Sequence, residues 1–70
     1  MLAERLKTLR IERGYTQKQI AAGANITEQQ YQTYEYGKKP AYNNLFALAE
    51  YFDVSIDYLV GRTDNPQAHR

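Results

Sequence analysis

The sequence predicts an all-α fold, a small domain of five short helices, and three observations carry that expectation. Apolar residues recur three and four positions apart along most of the chain, the spacing of one helix face. Two Thr-x-x-Gln signatures, Thr16 with Gln19 and Thr27 with Gln30, match the capping box, in which two side chains satisfy each other's backbone N–H groups. No stretch alternates apolar and polar residues for long enough to make a half-buried strand.

Leu2, Leu6 and Leu9 place the first helix over residues 2–13, with Gly14 just beyond it for the left-handed turn that ends many helices. Thr16 opens the second helix, whose inward stripe is Ile20, Ala21 and Ala24. Gly23 weakens it by about 1 kcal/mol relative to alanine, so it is expected to end near Ala24. Asn25 is the turn residue, since asparagine tolerates the left-handed region, and Ile26 plugs inward. Thr27 opens the third helix, Tyr31 and Tyr34 face the core together, and Gly37 closes it before the connector Lys38-Lys39-Pro40. The fourth helix spans about 42–52 with Leu45, Leu48, Ala49 and Phe52 inward, and Asp53 sits in its last turn. Ser55 caps a short fifth helix carrying Ile56 and Leu59, which Gly61 ends. Tyr42, Tyr51 and Tyr58 read as partial core. Residues 1–61 thus form the domain, and the polar stretch 62–70, with Pro66, reads as a mobile tail.

Composition excludes several functions. With no cysteine and a single histidine, His69, the chain offers no disulfide, no thiolate for zinc and no nucleophile–base pair. The four glycines are dispersed, so no glycine-rich phosphate loop exists. Neither an enzyme nor a cofactor-bearing protein is expected. No apolar run approaches the roughly 20 residues of a membrane span, and no signal peptide is visible, so the expected location is the cytoplasm. The net charge of +1 is nearly neutral, and any case for a polyanionic partner must come from where the charges sit.

The informative unit runs from Gln17 to Tyr36. Two short helices meet through four residues, Ala24 to Thr27. Ala21 is small where they cross, Asn25 can take a positive φ, and Ile20, Ile26, Tyr31 and Tyr34 are apolar pins on both sides. These are the requirements of a helix-turn-helix. If Tyr31 and Tyr34 point inward, the opposite face of the third helix carries Glu28, Gln29, Gln32, Thr33 and Tyr36. A glutamine amide can pair with adenine N6 and N7, and the Thr33 methyl suits a thymine methyl. Gln17, with Lys18 beside it, stands at the start of the second helix, where free N–H groups and the helix dipole favour phosphate. Lys38, Lys39 and Asn43 flank the C-terminal end of the third helix and are expected to face phosphates.

The segments LKTLRIERGYTQKQIA, NITEQQYQTYEYGKKP and LFALAEYFDVSIDYLVGRTDNP, in that order, resemble the Cro and repressor type of helix-turn-helix domain, the XRE family. The likeness covers about residues 2 to 61. It implies a compact lambda-repressor-like fold of five helices, with the third in the DNA major groove. By resemblance, Gln17 contacts DNA, and Thr27, Glu28, Gln29, Gln32 and Thr33 take recognition roles. The positions of Arg10 and Glu35 match an ion pair between first and third helices in some members. The chain departs from the pattern in lacking Arg and Lys on the recognition helix, in Ala41 before the fourth helix, and in Asn25 and Asp53 where glycine is common. Glu28 can accept from cytosine N4 or repel phosphates.

The resemblance implies a sequence-specific regulator of transcription, a repressor, that binds double-stranded DNA as a homodimer. The region of the fourth and fifth helices, around Val54, Ile56, Tyr58 and Val60, is the expected interface, and successive major grooves lie about 34 Å apart. No small-molecule ligand and no membrane partner is expected. The alternative is a protein-interaction module on the same scaffold, resembling an antitoxin or anti-repressor, which the near-neutral charge and the Arg-free helix favour.

Overall fold

The computed structural model describes residues 2–66. It contains α1 (Leu2–Glu12), α2 (Gln17–Ala24), α3 (Glu28–Glu35), α4 (Tyr42–Phe52) and α5 (Ile56–Leu59), and no strand among the described residues. Helix α3 packs on α1 and α2, α4 on α2 and α5, and α5 returns to α1. Each expected helix is present, α1 being one residue shorter than its periodicity suggests.

The starts are set by side-chain caps. The Thr16 hydroxyl accepts from the Gln19 backbone N–H at 3.0 Å while the Gln19 side-chain Oε1 accepts from the Thr16 backbone N–H at 2.8 Å. Thr27 and Gln30 repeat the exchange at 3.0 Å in both directions. Ser55 caps α5 by accepting from the Tyr58 N–H at 3.0 Å. Ala41 offers α4 no such bond.

The stops share one device. Gly14, Asn25, Gly37, Asp53 and Gly61 have positive φ, and each stands one residue past or near the end of a helix. The residue after each donates its N–H five positions back: Tyr15 to Arg10, Ile26 to Ala21, Lys38 to Thr33, Val54 to Ala49 and Arg62 to Asp57, at 2.8–3.0 Å. This is the bond that closes a left-handed helix end and occupies otherwise orphaned carbonyls. Asn25 (φ 60°) and Asp53 (φ 56°) do it without glycine, as their short polar side chains allow.

The core is Leu6, Leu9, Ile20, Ala21, Ala24, Tyr31, Tyr34, Leu48, Ala49, Phe52, Val54 and Leu59. Ile26, Leu45, Ile56, Tyr51 and Tyr58 pack on it partly buried. Two expectations need correction, and one gains a second role. Tyr42 is not partial core: it is 71% exposed and stacks on the less exposed Phe46, four residues along α4, at 6.4 Å between ring centres. Position 42 borders the inward stripe of Leu48, Ala49 and Phe52, but it is the first residue of α4 and its ring extends beyond the core. Val54, placed above at a subunit interface, is buried in the monomer's own core. Gly23 is more than a weak helix residue: a Cβ there would lie 2.1 Å from Cε1 of Tyr51, so the ring rests directly on the backbone of α2.

Residues 62–66, the first part of the stretch read as a tail, make contacts with the domain. Asp64 meets Arg5 at 3.5 Å, Arg5 lies over the Tyr58 ring at 4.1 Å, and the Ser55 N–H donates to the Pro66 carbonyl at 3.2 Å. His69 lies outside the described residues.

Candidate nucleic-acid interface

The orientation of α3 is decided by its two tyrosines. Tyr31 is fully buried and Tyr34 nearly so, which turns the opposite side of the helix outward. The Asn44 amide donates to the Tyr34 hydroxyl at 2.9 Å and so ties α3 to α4. On the outward side Glu28 and Gln29 are exposed, Gln32 and Thr33 are half-buried, and Tyr36 is 89% exposed. Lys18 on α2, Lys38 and Lys39 after α3, and Asn43 in the first turn of α4 are exposed around it. No basic residue lies on α3 itself, so the surrounding cations come from these lysines.

Some of the expected site residues already have partners. Thr27 is the N-cap of α3, and its hydroxyl accepts from the Gln30 N–H. The Thr33 hydroxyl donates to the Gln30 carbonyl at 2.6 Å, which leaves its oxygen able to accept and its methyl unengaged. Glu28 sits in the first turn, where a carboxylate is favoured by the helix dipole. Gln17 opens α2 beside the C-terminal half of α3. Its Nε2 donates to Glu35 Oε1 at 3.3 Å, and its Oε1 accepts from Gln32 Nε2 at 3.1 Å.

Behind this face lies a charged strut. Arg10 Nε donates to Glu35 Oε2 at 2.7 Å, and Arg10 Nη2 to Oε1 at 3.2 Å, a two-pronged pair between α1 and α3. Burial pushes the Glu35 carboxyl up, but the Arg10 bond, the Tyr31 hydroxyl, the Arg10 charge and the Gln17 amide together hold it below the usual glutamate range. The hydrogen bond that Arg10 donates to Glu35 raises Arg10 in turn. Burial, and then the adjacent Glu35 carboxylate, pushes the Tyr31 phenol well up. That hydroxyl lies in the field of the pair but makes no hydrogen bond of normal geometry.

Two features were not anticipated from sequence. The bond between Gln17 and Gln32 joins residues on different helices and depends on their crossing angle, which no spacing encodes. The Tyr42–Phe46 pair stands four apart on α4, the spacing at which side chains of one helix meet, and that spacing is the signal that could have found it. Among the described residues no group of acidic, histidine or cysteine side chains is arranged to hold a metal, and no helix is long and apolar enough to cross a membrane.

A helix-turn-helix family model matches residues 6–59, which contain α2, α3 and the turn between them. The chain is 40% identical over 67 residues to the HTH-type transcriptional regulator YobD of Bacillus subtilis (strain 168), an overlap of 94% of this chain and 60% of the relative. It is 41% identical over 64 residues to YonR, an SPbeta prophage-derived HTH-type transcriptional regulator of the same organism, covering 90% of this chain and 59% of the relative. To the HTH-type transcriptional regulator ImmR, also of that organism, it is 38% identical over 64 residues, covering 90% of this chain and 50% of the relative. The chain therefore spans between half and three fifths of the length of these relatives. By this match and by its five-helix architecture, the chain belongs to the helix-turn-helix family of the Cro and repressor (XRE) type.

Proposed function

We propose that this chain is the sequence-specific double-stranded-DNA-binding part of a transcriptional repressor, with α3 in the major groove. The observation that carries the reading is the inward anchoring of α3 by Tyr31 and Tyr34. It leaves an amide-rich face outward, with Lys18, Lys38 and Lys39 exposed around it. A helix with its side chains is about 10–12 Å across, which a B-DNA major groove about 12 Å wide admits. Gln29, Gln32 and Thr33 meet base edges, and Thr27, Glu28 and Tyr36 flank them. Gln17, Lys18, Lys38, Lys39 and Asn43 meet the backbone, which positions the domain without reading sequence. The similarity to HTH-type transcriptional regulators supports the same reading.

The functional unit is a homodimer, because one copy brings few cations to the phosphates. With Val54 buried, the exposed Tyr42 and Phe46 on α4 are the apolar surface that supports pairing in the region of α4 and α5. Binding selection from randomised duplexes tests the reading. Gln29→Ala relaxes base preference, while Lys38→Ala with Lys39→Ala weakens all sites alike. With about six phosphates neutralised per dimer, affinity falls on the order of 10³-fold from 50 to 200 mM salt. The exposed aromatic pair on α4 and the carboxylate of Glu28 favour a second reading, a protein-binding module. A chain that selects no sequence and shows a flat salt response supports that reading instead.

A further inference from the structure

The chain of bonds behind α3 has a direction. An ionised carboxylate accepts hydrogen bonds and cannot donate them. Glu35 is held ionised by Arg10 at 2.7 Å, so the Gln17 amide beside it must present its NH2 group to Glu35 Oε1. That turns Gln17 Oε1 toward Gln32, which must then present its own NH2, as the 3.1 Å bond records. The orientation of two amides, otherwise free to flip, follows from one charge. Gln32 is left with one uncommitted N–H and its carbonyl oxygen. Exposed Gln29, one turn earlier on the same helix, takes no part in this chain of bonds.

A reader with one donor and one acceptor complements adenine, which presents N7 as acceptor and N6–H as donor in the major groove. Guanine presents two acceptors, N7 and O6, and the second N–H that would serve them is held by Gln17. We infer that Gln32 is a specificity-determining residue for adenine over guanine, and that Gln17, Glu35 and Arg10 are positioning residues that fix its amide. The inference rests on the DNA reading of α3 and adds the chemistry that one of its side chains can recognise.

The test begins with the site selected by wild type and uses Gln32→Ala to find the base position that this residue reads. Adenine at that position is then replaced by guanine and by 7-deazaadenine, which lacks the N7 acceptor. Wild type is expected to lose on the order of 10-fold in affinity with either replacement. Gln17→Ala is expected to reduce the adenine-to-guanine ratio at that position by at least about 3-fold, beyond any uniform loss of affinity. Gln29→Ala should leave the ratio at that position unchanged. Glu35→Gln, whose neutral amide permits Gln17 to flip, should reduce the ratio as Gln17→Ala does. A readout without DNA runs in parallel: the Gln32 side-chain amide protons in a 15N–1H spectrum should shift in Gln17→Ala, with the backbone pattern retained. A wild type that selects a site at which Gln32 does not read adenine, or a Gln17→Ala variant that keeps the full ratio and an unshifted Gln32 amide, overturns the inference while leaving the DNA reading intact. A wild type that selects nothing overturns both.

Discussion

Gly23→Ala is a substitution for which helix propensity and packing predict opposite signs. In an exposed helix interior, alanine for glycine stabilises by about 1 kcal/mol. Here the added methyl would stand 2.1 Å from Cε1 and 2.3 Å from Cδ1 of Tyr51, so the ring edge has to retreat by more than about 1 Å to reach ordinary contact. The ring is held by Tyr15, 5.2 Å away between centres, and by Phe52 at 5.6 Å in an edge contact. Each such pair contributes about 0.5–1.5 kcal/mol, so displacing the ring from both loses about 1–3 kcal/mol. Partial re-exposure of the ring adds to that loss, and the propensity gain offsets only part of it. The expected net effect is a destabilisation of about 1–2 kcal/mol, a fall in Tm of about 5–15 °C for a domain of this size. Thermal melts followed by far-ultraviolet circular dichroism measure it. In a Tyr51→Ala background the obstacle is gone, and the same Gly23→Ala change should raise Tm by about 4–8 °C. A rise in Tm on adding the methyl to the wild-type background would refute the packing account of Gly23.

The charged strut gives two further predictions. Glu35 has its folded pKa depressed, so its contribution to stability is complete above the unfolded glutamate range and is lost as pH falls through the lower, folded value. Stability should therefore decline with acid from about pH 4.5 downward, and Arg10→Met should flatten that decline while lowering stability at neutral pH by about 3 kcal/mol or more, because the Glu35 side chain, 6% exposed, keeps a buried charge without its partner. Urea melts between pH 3 and 7 measure both effects. Tyr31→Phe should change stability by no more than about 1 kcal/mol, since the buried hydroxyl favours the Glu35 carboxylate but has no hydrogen bond of normal geometry to lose; a drop larger than about 1.5 kcal/mol in the same melts would mean that the phenol is bonded to Glu35 after all.

Most of the fold was legible because its punctuation is local. Thr16 with Gln19, Thr27 with Gln30 and Ser55 act within one turn of helix, and the left-handed Asn25 and Asp53 depend on their own side chains. The facing of α3 followed from the spacing of Tyr31 and Tyr34 alone. What periodicity does not carry is the relation between helices. The contact of Tyr51 with Gly23 joins α4 to α2, and the bond of Gln17 with Gln32 joins α2 to α3. Both arise where two surfaces cross, and the residues involved look ordinary within their own helices. The exposure of Tyr42 shows the converse: its angle about the helix axis borders the apolar stripe, but as the first residue of α4 it extends past the core.

The left-handed stops make each joint an angular gear. A helix advances by about 100° per residue, so a stop that slips by one position turns everything downstream by that angle about the helix axis. At Asn25 such a slip would swing the outward amides of α3 by more than a quarter turn while scarcely altering helix content. Glycine and asparagine both hold the required φ, so Asn25→Gly should leave the facing of α3 unchanged, whereas a β-branched residue at position 25 would misdirect the reading surface without unfolding the domain.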